Sequence, residues 1–251
     1  MSLVKPAPVY GANPQAAQLY CALDTVELAQ ARLWASQIAA HVDGVKLGLE
    51  FFLAHGPAGV RAIQALGLPI FLDLKLHDIP NTVAGAVRAV AGLGISVLTV
   101  HASGGAAMLR AAAEAAQDAA AKAGVPVPRI VGVTVLTSLA DEDLQQTGQT
   151  GPLPDQVVRL AQLSVQSGLA GVVSSAKEAA LLRAKLGPAP LLVVPGIRPT
   201  WADAGDQKRI VTPGEAVRLG GSLLVVGRPI TEARDPADAA RRVREDMMAS
   251  A

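Results

Sequence analysis

The chain has 251 residues, 51% hydrophobic and 17% charged; 22 basic residues offset 21 acidic ones to leave a formal net charge of +1. That apolar share supports a sizeable core and excludes a disordered chain. Without a basic excess, and with only two Trp, two Tyr and three Phe, the composition speaks against a nucleic-acid binder, a binder of anionic membranes and a stacking platform for single strands.

Residues 1–18 read as an N-terminal extension. Prolines and a glycine break them up, and they hold no hydrophobic run of the secretory kind. No stretch of about 18 uncharged apolar residues follows, so no transmembrane helix is expected. The one cysteine, Cys21, sits in an apolar run and reads as a buried structural thiol. It excludes an intramolecular disulfide and a multi-cysteine metal site, which fits a reducing cytoplasm.

From residue 19 onward, short apolar runs alternate with helical patterns. Strands are expected over 19–23, 44–48, 70–76, 97–100, 130–135, 171–173, 191–194 and 223–226. Helical patterns fill the gaps, among them 26–41, 82–93, 105–123, 154–167 and 177–186, and 236–248 follows the last strand. In the Ala-rich segment, Arg110, Glu114, Asp118 and Lys122 recur every fourth residue and mark one solvated helix face. Val/Leu-rich strands of this kind are parallel and covered on both sides. Eight strand–helix units over roughly 230 residues give the arithmetic of a single-domain α/β fold, the (β/α)8 or TIM barrel, over 19–251. A doubly wound open sheet would call for a Gly-rich turn after the first strand, whereas this strand ends Ala22-Leu23-Asp24-Thr25.

Barrel enzymes place their chemistry at the C-terminal ends of the strands. The third strand there reads Phe71-Leu72-Asp73-Leu74-Lys75-Leu76-His77-Asp78. Its period of two puts the three leucines on one face, outward against helices, and Asp73, Lys75 and His77 on the other, inward at the mouth. An acid and a base buried together are tolerated as a structural ion pair or as a functional site. Asp24 and Lys46 end the first and second strands at comparable depth, and Asp78 follows in the loop.

The decapeptide Asp73-Leu-Lys-Leu-His-Asp-Ile-Pro-Asn-Thr82 resembles the signature of the orotidine 5′-phosphate decarboxylases. The resemblance runs from Tyr20 to Ala240. It takes in Ala22-Leu23-Asp24, Lys46-Leu-Gly-Leu-Glu50, Val100-His-Ala-Ser-Gly-Gly105, Val133-Thr-Val-Leu-Thr-Ser138, Pro195-Gly-Ile-Arg-Pro199, Gly205-Asp-Gln-Lys-Arg209 and Val226-Gly-Arg-Pro229. It implies loss of CO2 from orotidine 5′-monophosphate to give uridine 5′-monophosphate, with no cofactor and no metal. It implies Lys75 as proton donor to C6, Asp73 beside the departing carboxylate, Lys46 holding Asp73 and touching the ribose, and Asp24 on the ribose hydroxyls. In the family's homodimer, Asp78 and Thr82 reach into the neighbouring subunit's site.

By the same resemblance Thr137 and Ser138 lie near the pyrimidine edge, although strand-end hydroxyls also serve as loop or helix caps. Phosphate recognition is expected after strands seven and eight. Gly227 lets backbone N–H groups approach closely, and Arg228 supplies a fork of donors. The long segment from Pro195 to Val211 reads as a lid or as a solvated loop. The resemblance puts Gln207 and Arg228 on the 5′-phosphate, with Pro195 and Arg198 lining the same site. His77 and His101 read as structural hydrogen-bonding groups at the rim. Two other readings stand beside this one: a metal-dependent sugar-phosphate decarboxylase or aldolase of related barrel type, and a phosphate-binding barrel without catalysis.

Overall fold

Each Val/Leu-rich run forms a parallel strand, because such runs can be buried on both faces once helices cover them. The computed structural model describes residues 17–149, 151–202 and 211–249. In chain order the elements are β1 (Gln18–Ala22), α1 (Leu28–Ile38), β2 (Gly44–Gly48), α2 (Leu49–Gln64), β3 (Ile70–Leu76), α3 (Pro80–Ala91), β4 (Val97–His101), α4 (Gly105–Ala123) and β5 (Arg129–Val133). There follow α5 (Asp141–Gln146), α6 (Leu153–Gln166), β6 (Gly171–Val173), α7 (Ala176–Leu186), β7 (Leu191–Val194), α8 (Pro213–Arg218), β8 (Leu223–Val226), α9 (Arg228–Thr231) and α10 (Pro236–Met248). The eight strands pair in sequence order, and β8 returns to β1 to close the barrel. The TIM-barrel expectation holds. The first strand starts one residue earlier than expected, at Gln18, and the extension over residues 1–16 lies outside the described residues.

Strand alternation builds two apolar layers. Tyr20, Ala22, Phe71, Val97, Val131, Val193, Leu223 and Val225 fill the barrel interior. Their sequence neighbours Leu19, Cys21, Leu72, Leu98, Leu224 and Val226 pack outward against the helices. At the floor the Tyr20 and Phe71 rings meet edge to face, with centroids 6.4 Å apart. Tyr20 lies over Gly44, where a Cβ would come within 2.4 Å of the ring, so only glycine fits. Further along the inward rows of β1 and β3 stand the charged groups of the mouth. Asp24 follows Ala22, and Asp73 and then Lys75 follow Phe71.

Helix α4 buries Met108, Leu109, Ala112, Ala116 and Ala120 and exposes Arg110, Glu114, Asp118 and Lys122, as their spacing requires. Helix α2 breaks at Gly56 (φ 54°), just before Pro57, whose ring disfavours a helical residue ahead of it. At the N-terminal face, Arg244 of α10 pairs with Asp43 at 2.9 Å and donates from Nε to the His41 carbonyl at 2.8 Å. Asp43 also accepts the Leu19 N–H at 2.8 Å, so the last helix is bolted to the loop between α1 and β2. Among the described residues, no helix is long and apolar enough to cross a membrane.

Candidate active site

Three adjacent strands, β1 to β3, converge on one alternating array of charge. Lys46 of β2 lies 3.1 Å from Asp24 Oδ1 and 3.7 Å from Asp73 Oδ2. Lys75 Nζ donates to the same Asp73 oxygen at 2.7 Å. The order around the mouth is therefore acid, amine, acid, amine. Side-chain exposure grades from 12% at Lys46 and 13% at Asp73 to 31% at Lys75 and 62% at Asp24, so the array runs from the barrel wall out to solvent. At an effective dielectric near 20, each opposite pair about 4 Å apart contributes roughly 4 kcal/mol of attraction. That attraction offsets desolvation only because each deep charge has more than one partner.

Burial by itself pushes the Asp73 carboxyl up. Lys46, Lys75 and a hydrogen bond from Thr99 outweigh it and hold Asp73 below the ordinary carboxylate value of 3.8. Asp73 therefore stays ionised at neutral pH, fixed beside the Lys75 ammonium.

Thr99 is the member of this site that sequence reasoning missed. It is fully buried on β4 and donates to Asp73 Oδ1 at 2.9 Å while accepting the Lys75 backbone N–H at 2.8 Å. The signal was present: in Val97-Leu-Thr-Val-His101 the inward positions are 97, 99 and 101, and a hydroxyl interrupts an apolar row. The Lys75 backbone has φ 49°, a left-handed conformation that non-glycine residues rarely adopt and that marks stored strain.

His77 and His101 lie against each other at the rim, with ring centroids 5.4 Å apart and planes tilted by 38°. Burial, then His77 and Lys75, lower the His101 pKa against the opposing pull of Asp73, so His101 is neutral at pH 7. Asp78 and Thr82 stand apart from the array. Both are exposed, Asp78 Oδ1 accepts the Ile79 N–H at 2.6 Å, and among the described residues Asp78 makes no ion pair within the chain.

At the same C-terminal end of the barrel, the loops after β5, β6 and β7 line a cavity of about 410 Å³. Its lining includes Thr137, Ser138, Ser175, Lys177, Pro195 and Gly196. Thr137, Ser138 and Pro195 thus share one hollow, and Ser175 joins them from a strand end that sequence reasoning passed over. Arg198 is different: it is 5% exposed, its N–H bonds to the Val211 carbonyl at 3.1 Å, and it is not among the residues lining the cavity. Gln207 and Arg209 lie outside the described residues. Arg228 is exposed at the start of α9. Gly227 sits where a Cβ would lie 3.4 Å from Ala22 Cβ and 3.8 Å from Asp24 Oδ2, so the end of β8 abuts the Asp24 end of the array.

Residues 17–243 match the family described as orotidine 5′-phosphate decarboxylase / HUMPS. The chain belongs to that family. It is an enzyme of the decarboxylating lyase type. The orotidine 5′-phosphate decarboxylase of Paramagnetospirillum magneticum is 54% identical over 229 residues, covering 91% of this chain and 97% of the relative. That of Rhodospirillum rubrum is 53% identical over 231 residues, covering 92% and 94%. The crystal structure of the Lactobacillus acidophilus enzyme superposes with a TM-score of 0.80 at 36% identity, covering 92% of this chain and 99% of that one.

Proposed function

We propose that residues 19–251 form one catalytic domain that converts orotidine 5′-monophosphate to uridine 5′-monophosphate and CO2, the closing step in making that nucleotide. The observation that carries this reading is the acid–amine array of Asp24, Lys46, Asp73 and Lys75 at the mouth of a barrel of this family. Loss of CO2 leaves an electron pair at C6 with no conjugated sink, so stabilisation must come from charge already in place. Lys75, held by Asp73, delivers its proton to C6 as the carbon–carbon bond breaks. The electron pair of that bond becomes the new C–H bond, and the carboxylate departs as CO2. Asp73 faces the substrate carboxylate and keeps Lys75 aimed. Lys46 holds Asp73 from the other side and, with Asp24, meets the ribose hydroxyls.

Thr137 and Ser138 read the pyrimidine from the neighbouring cavity. With few aromatics in the chain, recognition of the ring rests on hydroxyls and backbone amides. Gly227 and Arg228 take the 5′-phosphate, joined by Gln207, Pro195 and Arg198 from the segment after β7. The Gly227 end of β8 lies against Asp24, which fits a ribose bridging the two subsites. We place Asp78 and Thr82 in the site of a second copy across a homodimer. Their exposure, the 67% exposure of the intervening Ile79 and the lack of an Asp78 ion pair among the described residues support this. The enzyme needs no metal or cofactor in this reading and works in the cytoplasm.

A direct ultraviolet assay of orotidine 5′-monophosphate loss, with and without a chelator, tests the proposal. Turnover unchanged by chelator is expected. Chelator-sensitive turnover of a sugar phosphate would favour the metal-dependent barrel, and nucleotide binding without turnover the non-catalytic one.

A further inference from the structure

We propose that Thr99 is a positioning residue of this centre: its single hydroxyl fixes the Asp73 carboxylate and closes the gap in the strand ladder from which Lys75 projects. The inference rests on the decarboxylase reading above and adds a residue to it.

Pairing between β3 and β4 slips at this point. Leu72 faces Leu98, but the next pair is Leu76 with Val100, so β3 carries two more residues across the slip than β4 does. The extra length lies at Asp73, Leu74 and Lys75, and the turn that absorbs it is the left-handed backbone of Lys75. A bulge of this kind re-aims a side chain and frees a backbone donor. A buried N–H left without an acceptor would cost free energy, and here the freed Lys75 N–H donates to Thr99 Oγ1 at 2.8 Å.

That first bond dictates the second. A hydroxyl has one proton, and an amide N–H can only donate. Once Thr99 Oγ1 accepts from Lys75, its own proton is free to be given to Asp73 Oδ1, 2.9 Å away. An ionised carboxylate only accepts, so the chain of bonds runs in one direction, from the Lys75 backbone through Thr99 to Asp73. Oδ1 is occupied, and Oδ2 faces Lys75 Nζ at 2.7 Å and Lys46 Nζ at 3.7 Å. Every contact on Asp73 is thus a donor, which defines its rotation and its charge together. Thr99 is completely buried, so no solvent stands ready to replace the hydroxyl. Lys75 is gripped twice, at its backbone by Thr99 and at its ammonium by the carboxylate that Thr99 orients.

Thr99→Val keeps the shape of the side chain and removes the hydroxyl. We expect kcat to fall about ten- to hundredfold with KM held within about threefold, as for loss of a bond to a charged group that aims the reacting residue. The Asp73 carboxyl, followed by carbon NMR in the ligand-free protein, should titrate at higher pH than in the wild type, and the acid limb of the rate profile should move the same way. Thr99→Ser should restore both. Should the valine variant fail to fold, Thr99→Ala carries the same expectations. Wild-type kcat in the folded valine or alanine variant, or an Asp73 titration that does not move, overturns the role of Thr99. The titration needs no substrate, so a wild-type enzyme inert toward orotidine 5′-monophosphate would overturn the proposed reaction independently.

Discussion

Lys75 Nζ and Asp73 Oδ2 lie 2.7 Å apart, two residues from each other on one inward strand face. A flat strand would carry the two side chains side by side. The left-handed turn at Lys75 lets the ammonium swing back onto the carboxylate while its stem stays at the mouth. The ion pair is thus a product of local backbone geometry as much as of opposite charge.

Removing the amine should separate catalysis from folding. Lys75→Ala leaves Asp73 one ammonium, Lys46, and the Thr99 hydrogen bond, so the protein should fold. Decarboxylation should drop at least a hundredfold, the scale of a positioned proton donor. Circular dichroism and a steady-state assay on the same sample check both halves, and near-normal turnover would remove Lys75 from the donor role.

The low Asp73 pKa carries a pH signature in stability. The unfolded carboxyl titrates near its ordinary 3.8, and the folded one lies below that. The stability that ionised Asp73 contributes is complete above the unfolded value and is lost as pH falls through the folded one. Urea unfolding of wild type and Asp73→Asn at pH 6 and near pH 3 should show the larger acid loss in the wild type. Equal losses would mean that the array does not hold Asp73 ionised.

Arg228 should act on binding and not on the chemical step. It is exposed at the start of α9, after β8, whereas Asp73 and Lys75 stand on β3. Arg228→Ala should raise KM for the phosphorylated substrate about ten- to hundredfold, the scale of losing charge-assisted bonds to phosphate. Phosphate-free orotidine should react equally well with variant and wild type. An equal loss with both substrates would place Arg228 elsewhere in the mechanism.

The shared-site arrangement predicts complementation. Asp78→Ala and Lys75→Ala subunits should each be inactive alone. Mixed after partial denaturation and refolding, they should regain activity in hybrids, because one of the two sites then combines an intact Lys75 with the other subunit's intact Asp78. No recovery in verified hybrids would put Asp78 in its own subunit's site or outside the chemistry.

Much of the site was legible because strand parity is a local property. Asp73 and Lys75 share a parity with Phe71, and Phe71 had to face inward if Leu72 and Leu74 were to meet the helices. The same parity placed Lys46 and Asp24. The inward position of Thr99 was legible, but its bonding role was not. Its importance comes from a slipped register between β3 and β4, which no single segment records. Arg198 shows the same limit. Its charge and its place after β7 were plain in the sequence, but its depth, 5% exposed, depends on packing that no single segment records.

By itself, the sequence determined the eight strands, their order and the inward row of charge. Each follows from apolar runs, helical spacing and period-two alternation, which are interactions between near neighbours along the chain. Only the tertiary structure decided that Lys46 stands between two carboxylates, that Thr99 joins the Lys75 backbone to Asp73, and that Asp78 turns its carboxylate to the Ile79 N–H outside the array. Those relations depend on which strands lie side by side and on a bulge in their pairing. Barrel closure sets both, through contacts between residues far apart in sequence.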